Sequence, residues 1–238
     1  MLSLRAISAV CFLALVLGPN VRAQSLGGGS AAVKENLDLP FDAIGENENE
    51  EEAPEIVSFY GTQLEGDGFF YIIDRSGTMQ DSGELNIAKR EVTRNITEFS
   101  DKVRFGIFFF DKGLVKFPQS NQAAEANPAM KSSGISFVQS TGGGSGTCCQ
   151  LALSAALQMA NNCSAKRKVI VYLSDGGGTC PGQNESDYLK QTLASTSSQN
   201  WQRVQINTIG VLQLGPENEQ FMKNLASSNG GTYSRVSR

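Results

Sequence analysis

The stretch GFFYIIDRSGTM, residues 68–79, carries six residues of almost unbroken apolar sequence straight into an aspartate, a serine and a threonine at alternate positions. An apolar run of strand length without alternation reads as a strand covered on both faces. The polar burst that follows lies at the carboxyl end of that strand. Asp74, Ser76 and Thr78 offer one carboxylate and two hydroxyls there, while Arg75 and Gly77 serve the turn. Gly77 has no Cβ and permits tight curvature.

Similar runs recur along the chain: VRFGIFFF (103–110), LVKF (114–117), KVIVYLS (168–174), VQINTIGV (204–211) and GTYSRV (231–236). Helix-period segments lie between them. SGELNIAKREVTRNITEF puts Leu85, Ala88, Val92, Ile96 and Phe99 on one stripe, with Ser82 as the expected N-cap. QLALSAALQMA, SDYLKQTLASTSSQ and ENEQFMKNLASS complete the set, the last stopped by NGG at 229–231. Strands alternating with helices predict an α/β fold: a doubly wound, mostly parallel six-stranded sheet with helices on both faces. The short DKG turn at 111–113 makes LVKF an antiparallel edge strand.

The chain has 238 residues and opens with Arg5 ahead of AISAVCFLALVLG and the small-residue-ended VRA. This is the pattern of a secretory signal over 1–23, cut after Ala23, with a secreted or periplasmic destination. The apolar stretch, at about 13 residues, falls short of the ~20 that a membrane span needs. Residues 24–55 are Gly/Ser-rich and then acidic, ending in ENENEEE and APE, and read as a flexible leader. The folded domain is expected over 56–238. A net charge of −4 offers no basic footprint, so nucleic acid and anionic membrane surfaces are not expected partners.

The chain contains no histidine. That removes Ser-His-Asp and Cys-His nucleophile systems, His-ligated zinc and a histidine general base together. TGGGSGT at 141–147 lacks the lysine of a phosphate loop, and GGSGT has Thr147 where a nucleophile elbow needs glycine. Trp201 and the phenylalanines read as core. Asn95, Asn162 and Asn184 head N-x-[ST] sequons, which chance alone accounts for.

In a doubly wound sheet, ligands sit beyond the carboxyl ends of the strands where the strand order reverses. Three features fall at that rim: Asp74, Ser76 and Thr78 after the first strand, Thr147 before a helix, and Asp175 at the end of KVIVYLS. Two carboxylates and three hydroxyls are hard oxygen donors, suited to Mg²⁺ first and then Mn²⁺ or Ca²⁺. Such a set leaves the ion underneutralised and open to an anionic oxygen from outside.

These pieces, FYIIDRSGTM, GTCCQLAL and VIVYLSDG, resemble the metal-ion-dependent adhesion site of von Willebrand factor type A domains, over about residues 56–238. The family pattern is D-x-S-x-S, a threonine on a separate loop and an aspartate after the fourth strand. Asp74, Ser76, Thr78, Thr147 and Asp175 match it in turn, with Thr78 in place of the usual serine. Thr141 competes for the loop position, but the spacing from Thr147 to CCQLAL fits better. The resemblance implies a binding module and not an enzyme: the ion is completed by an Asp or Glu of a protein partner. A purely structural domain and a metal-assisted hydrolase are the alternative readings, the latter lacking any evident general base.

Cys148, Cys149, Cys163 and Cys180 would remain after signal removal. If a helix separates Cys149 from Cys163, they stand ~20 Å apart at ~1.5 Å per residue, beyond the ~7 Å reach of a disulfide. Cys180 is therefore expected to bond Cys149 or Cys148 and clamp two metal-bearing loops. Cys163 is left free or available for an intermolecular bond.

Overall fold

The computed structural model describes residues 53–176 and 180–236. The expected signal and almost all of the expected leader lie outside the described residues. The chain enters as a hairpin of β1 (Glu55–Phe59) and β2 (Thr62–Gly66). Tyr60 and Gly61 both have positive φ, at 52° and 78°, the backbone that a two-residue hairpin turn requires. Val57, Phe59 and Leu64 are buried while their neighbours in the strands face outward.

The main sheet contains β3 (Gly68–Asp74), β4 (Arg104–Phe110), β5 (Leu114–Phe117), the two-residue β6 (Ala124–Glu125), β7 (Lys168–Ser174), β8 (Gln205–Val211) and β9 (Tyr233–Val236). Its order is β5-β4-β3-β7-β8-β9, with β6 pairing β4. The pairings from β4 through β9 are parallel, and β5 and β6 run antiparallel to β4. All six strands expected from the apolar runs are present, with LVKF as the antiparallel edge.

The helices are α1 (Gly77–Asp81), α2 (Glu84–Glu98), α3 (Pro128–Ser140), α4 (Cys149–Asn161), α5 (Glu185–Gln199) and α6 (Pro216–Ser227). Strand residues alternate between two cores. Phe69, Tyr71, Ile73, Phe105, Ile107 and Phe109 pack with Ala88, Val92 and Ile96 of α2 and Val138 of α3. Phe70, Ile72, Phe108, Phe110, Ile170 and Tyr172 pack with α4, α5 and α6 on the other face. This double coverage explains why the central strands are apolar without alternation.

Several features depart from the sequence reading. The β1–β2 hairpin, α3 and β6 were not expected, and Ser82 does not cap α2. The cap position belongs to Gly83, at φ 79°, because the short α1 already uses Ser82 at its own end. The third helix has a weak apolar stripe, yet its start is marked: Asn127 accepts a hydrogen bond from the Met130 amide at 3.0 Å, and Pro128 follows. Gly134 lets α3 approach the sheet, since a Cβ there would stand 3.0 Å from the Phe105 ring. Asn95 is buried and donates to the Tyr71 hydroxyl at 2.9 Å, so its sequon is closed to modification in the folded chain.

Candidate metal centre

Strand order reverses between β3, whose next strand β4 lies to one side, and β7, which continues the sheet on the other. The crevice beyond their carboxyl ends is where an open α/β sheet binds ligands. Asp74 ends β3 and is fully buried. One of its oxygens accepts from the Ser76 amide at 2.7 Å, the other from the Ser174 hydroxyl at 2.7 Å. The hydroxyls of Ser76 and Thr78 lie 3.2 Å apart, and that of Thr78 donates to the Asp175 carboxylate. Four of the five expected residues are thus linked across two loops, Asp74 to Ser76 through the Ser76 amide and Ser76, Thr78 and Asp175 through their side-chain oxygens.

The fifth, Thr147, is buried on a third loop. That loop is tied to the first by the Gly144 amide, which donates to the Arg75 carbonyl at 2.7 Å, and by the Arg75 guanidinium, which reaches the Gly142 carbonyl at 3.3 Å. Thr141 serves otherwise: its hydroxyl donates to the Phe137 carbonyl at 2.8 Å, closing the end of α3.

Two contributors escaped the sequence reading. Asp111, one residue beyond β4, pairs with Arg75 at 3.1 Å and accepts from the amides of Gly113 at 2.8 Å and Ser145 at 3.3 Å. A Cβ on Gly144 would overlap its carboxylate. Its signal was available, an acid directly after FGIFFF at the same rim. Ser174, adjacent to Asp175, is the other; its hydroxyl also accepts from the Gly176 amide at 2.9 Å.

The two acids differ in electrostatic state. Burial pushes the Asp74 carboxyl up to about 7; the Ser174 hydrogen bond opposes this and the neighbouring Asp175 charge adds to it. Burial also acts against Asp111, but the Gly113 amide, the Arg75 charge and the Ser145 amide outweigh it and hold that carboxyl below the ordinary range. Asp74 is therefore a desolvated acid whose oxygens are met by an amide and a hydroxyl and, among the described residues, by no cation.

The sequence matches no family model and no curated protein. Solved structures do match. A von Willebrand factor type A protein from Catenulispora acidiphila aligns at 16% identity and TM-score 0.60, over 74% of this chain and 40% of that one. The pilus adhesin SpaC from Lactobacillus rhamnosus GG aligns at 15% identity and TM-score 0.58, over 71% and 28%. The vWF domain of the type V pili tip protein Mfa5 from Porphyromonas gingivalis aligns at 13% identity and TM-score 0.55, over 71% and 89%. The fold is that of a von Willebrand factor type A domain. The chain spans less than half the length of the first two proteins it matches.

Within this type A fold, the donor set suits a hard divalent cation. Its oxygens are carboxylate and hydroxyl, and a positive ion beside Asp74 would offset the cost of burying its charge. Among the described residues no group of three or more His, Cys, Asp or Glu converges. A thiolate or imidazole centre is thus not formed there, and the hydroxyls must carry part of any coordination.

Cys148 bonds Cys180, with Cα atoms 4.7 Å apart. The bond joins the segment after Thr147 to the segment that follows Asp175, as one of the two expected pairings. Cys149 is the first residue of α4 and faces the core, where burial pushes its thiol up to about 11. Cys163 is also free but buried, and burial raises its thiol too. An intermolecular bond through Cys163 would need that site to open first.

Proposed function

We propose that this domain is an exported binding module, not a catalyst. It holds Mg²⁺, or Mn²⁺ or Ca²⁺ in its place, at Asp74, Ser76, Thr78, Thr147 and Asp175, and through the ion grips an Asp or Glu carboxylate of a protein partner. The observation that carries this reading is Asp74: a fully buried carboxylate with no cationic partner among the described residues, linked through the Ser76 amide and the hydroxyls of Ser76 and Thr78 to a second acid at a topological switch point. Likeness in fold to a pilus adhesin and a pilus tip protein supports an adhesive role. The signal-like amino terminus supports export, and among the described residues no helix is long and apolar enough to cross a membrane.

Calorimetric titration of the full chain with Mg²⁺, alongside Asp74→Ala, tests the site. Saturable binding by the parent chain alone is expected, and identical heats from both proteins would remove the metal claim. Pull-down from the native exported fraction tests the partner. Capture should vanish with chelator and return with Mg²⁺; capture indifferent to chelator would refute the metal-bridged contact.

A further inference from the structure

Trp201 was expected in the core, yet it is 69% exposed. It is the only tryptophan in the chain and stands in the turn between α5 and β8. Leu151, on α4, is 55% exposed. These two, which with Ile56 are the exposed large apolar side chains among the described residues, border the same groove of about 680 Å³. That volume lies within the usual range of ligand sites, about 300–1,000 Å³.

The groove floor follows from the sequence of α4. Leu151, Ser154, Gln158 and Asn162 recur at helical spacing and line the groove. They span roughly 16 Å at ~1.5 Å per residue, the length of several pyranose rings. None of the lining residues is charged. Apart from Leu114, Leu151, Ala155 and the indole, the lining is amide and hydroxyl: Ser154, Gln158, Asn161, Asn162 and Gln199. Asn161 is fixed at the groove's edge, its amide nitrogen donating to the Gln199 carbonyl at 3.0 Å.

An anion would find no cation here, and a wholly aliphatic ligand would leave the amides unpaired. A neutral sugar meets both halves of the lining: its C–H face lies against an indole, and its hydroxyls both donate to and accept from amides. We propose that this groove binds a neutral oligosaccharide, with one ring stacked on Trp201 and hydroxyls bonded by Ser154, Gln158 and Asn162. The proposal does not rest on the metal-site reading.

Because Trp201 is the only indole, intrinsic tryptophan fluorescence reports on this groove alone. The full chain would be titrated, with chelator present, against chitotetraose, cellotetraose and maltotetraose. A saturable blue shift with at least one of them is expected. By calorimetry, Trp201→Ala should weaken that sugar about tenfold or more, the scale of a lost ring contact. Gln158→Ala should weaken it several-fold, and Asp74→Ala should leave it unchanged. Circular dichroism would verify that the Trp201 variant is folded, as its exposed position predicts. Two results would overturn the proposal. One is no shift with any of the three sugars at millimolar concentration. The other is a shift driven by protein concentration alone, with dimers in sedimentation, which would assign the face to a second copy of the chain.

Discussion

The two ends of the sheet carry opposite charge and handle it differently. At the carboxyl end, Asp74 and Asp111 are buried and, with Asp175, held by hydroxyls, amides and one arginine across three loops. At the amino end, Lys166, Arg167, Lys168 and Arg203 line an open cavity of about 540 Å³ beside β2. Lys166 and Arg203 there are exposed, and Arg167 and Lys168 half-buried. A net charge of −4 averages over both ends and describes neither. Charge held out of water by a bonded network keeps a fixed geometry, whereas charge that extends into solvent is screened within about 10 Å.

Changes that fall on one end only test this contrast. The largest effect is expected from removing the covalent clamp at the acidic end. Replacing Cys148 and Cys180 together by serine should lower unfolding free energy by roughly 3–4 kcal/mol, the chain-entropy value for a bridge of sequence separation 32. Urea denaturation measures it, and a loss under about 1 kcal/mol would mean that the loops hold without the bond.

Next in size is the effect on the proposed metal. Asp74→Ala should weaken Mg²⁺ by at least about 100-fold, or ~2.7 kcal/mol. Lys168→Ala at the opposite rim should leave it unaltered. Equal losses from both would erase the distinction between the ends.

Asp111→Asn should cost about 2 kcal/mol at neutral pH, the scale of hydrogen bonds to a charged group. The sign with pH follows from its depressed carboxyl. Asp111 stays ionised in the folded chain at pH values where the unfolded chain takes up the proton. Its contribution is therefore complete above the ordinary carboxylate range and is lost as pH falls through that range and below. Acid titration of the variant should show a shallower fall than the parent; parallel curves would assign the acid sensitivity elsewhere.

The smallest effect lies at the basic end. Arg203 has φ 55°, in the left-handed region, within a turn braced by Asn200, whose Oδ1 accepts from the Val204 amide at 2.7 Å. Arg203→Gly should change stability by no more than about 1 kcal/mol, because relief of left-handed strain is set against the freedom glycine gains when unfolded. Thermal unfolding reads that change, and Mg²⁺ affinity should not move.

What the sequence disclosed depended on how many faces each element buries. β3, β4 and β7 lie between two helical layers, so their apolar runs are continuous and easily read. β1 and β2 bury only alternate residues, and with four apolar side chains between them they gave no strand signal, although they fall within the expected domain. The candidate site stood out in the sequence because the residues after β3 and β7 are polar where nothing about packing requires it. Asp111 was missed because its partners, Arg75 and the amides of Gly113 and Ser145, come from loops whose meeting is a tertiary event. The choice between Cys148 and Cys149 turned on helix phase: Cys149 begins α4 and points inward, which leaves Cys148 to meet Cys180. Trp201 misled because aromatic side chains are usually core, and its position after a helix end gave no periodicity to correct that prior.

The pairing of β3 also constrains the order in which the chain matures. Phe69 lies beside Phe105 on one side and Val169 on the other. A ribosome delivering this protein releases β3 and β4 long before β7 exists. Until then the phenylalanine-rich edge of β3 has no neighbour and presents unpaired peptide groups along an apolar strand, a template for pairing with another chain. Such contacts between distant parts of the sequence form slowly. Yield in the cell should therefore respond more to holdase chaperones and to translation speed across residues 110–168 than to small changes in the stability of the finished domain.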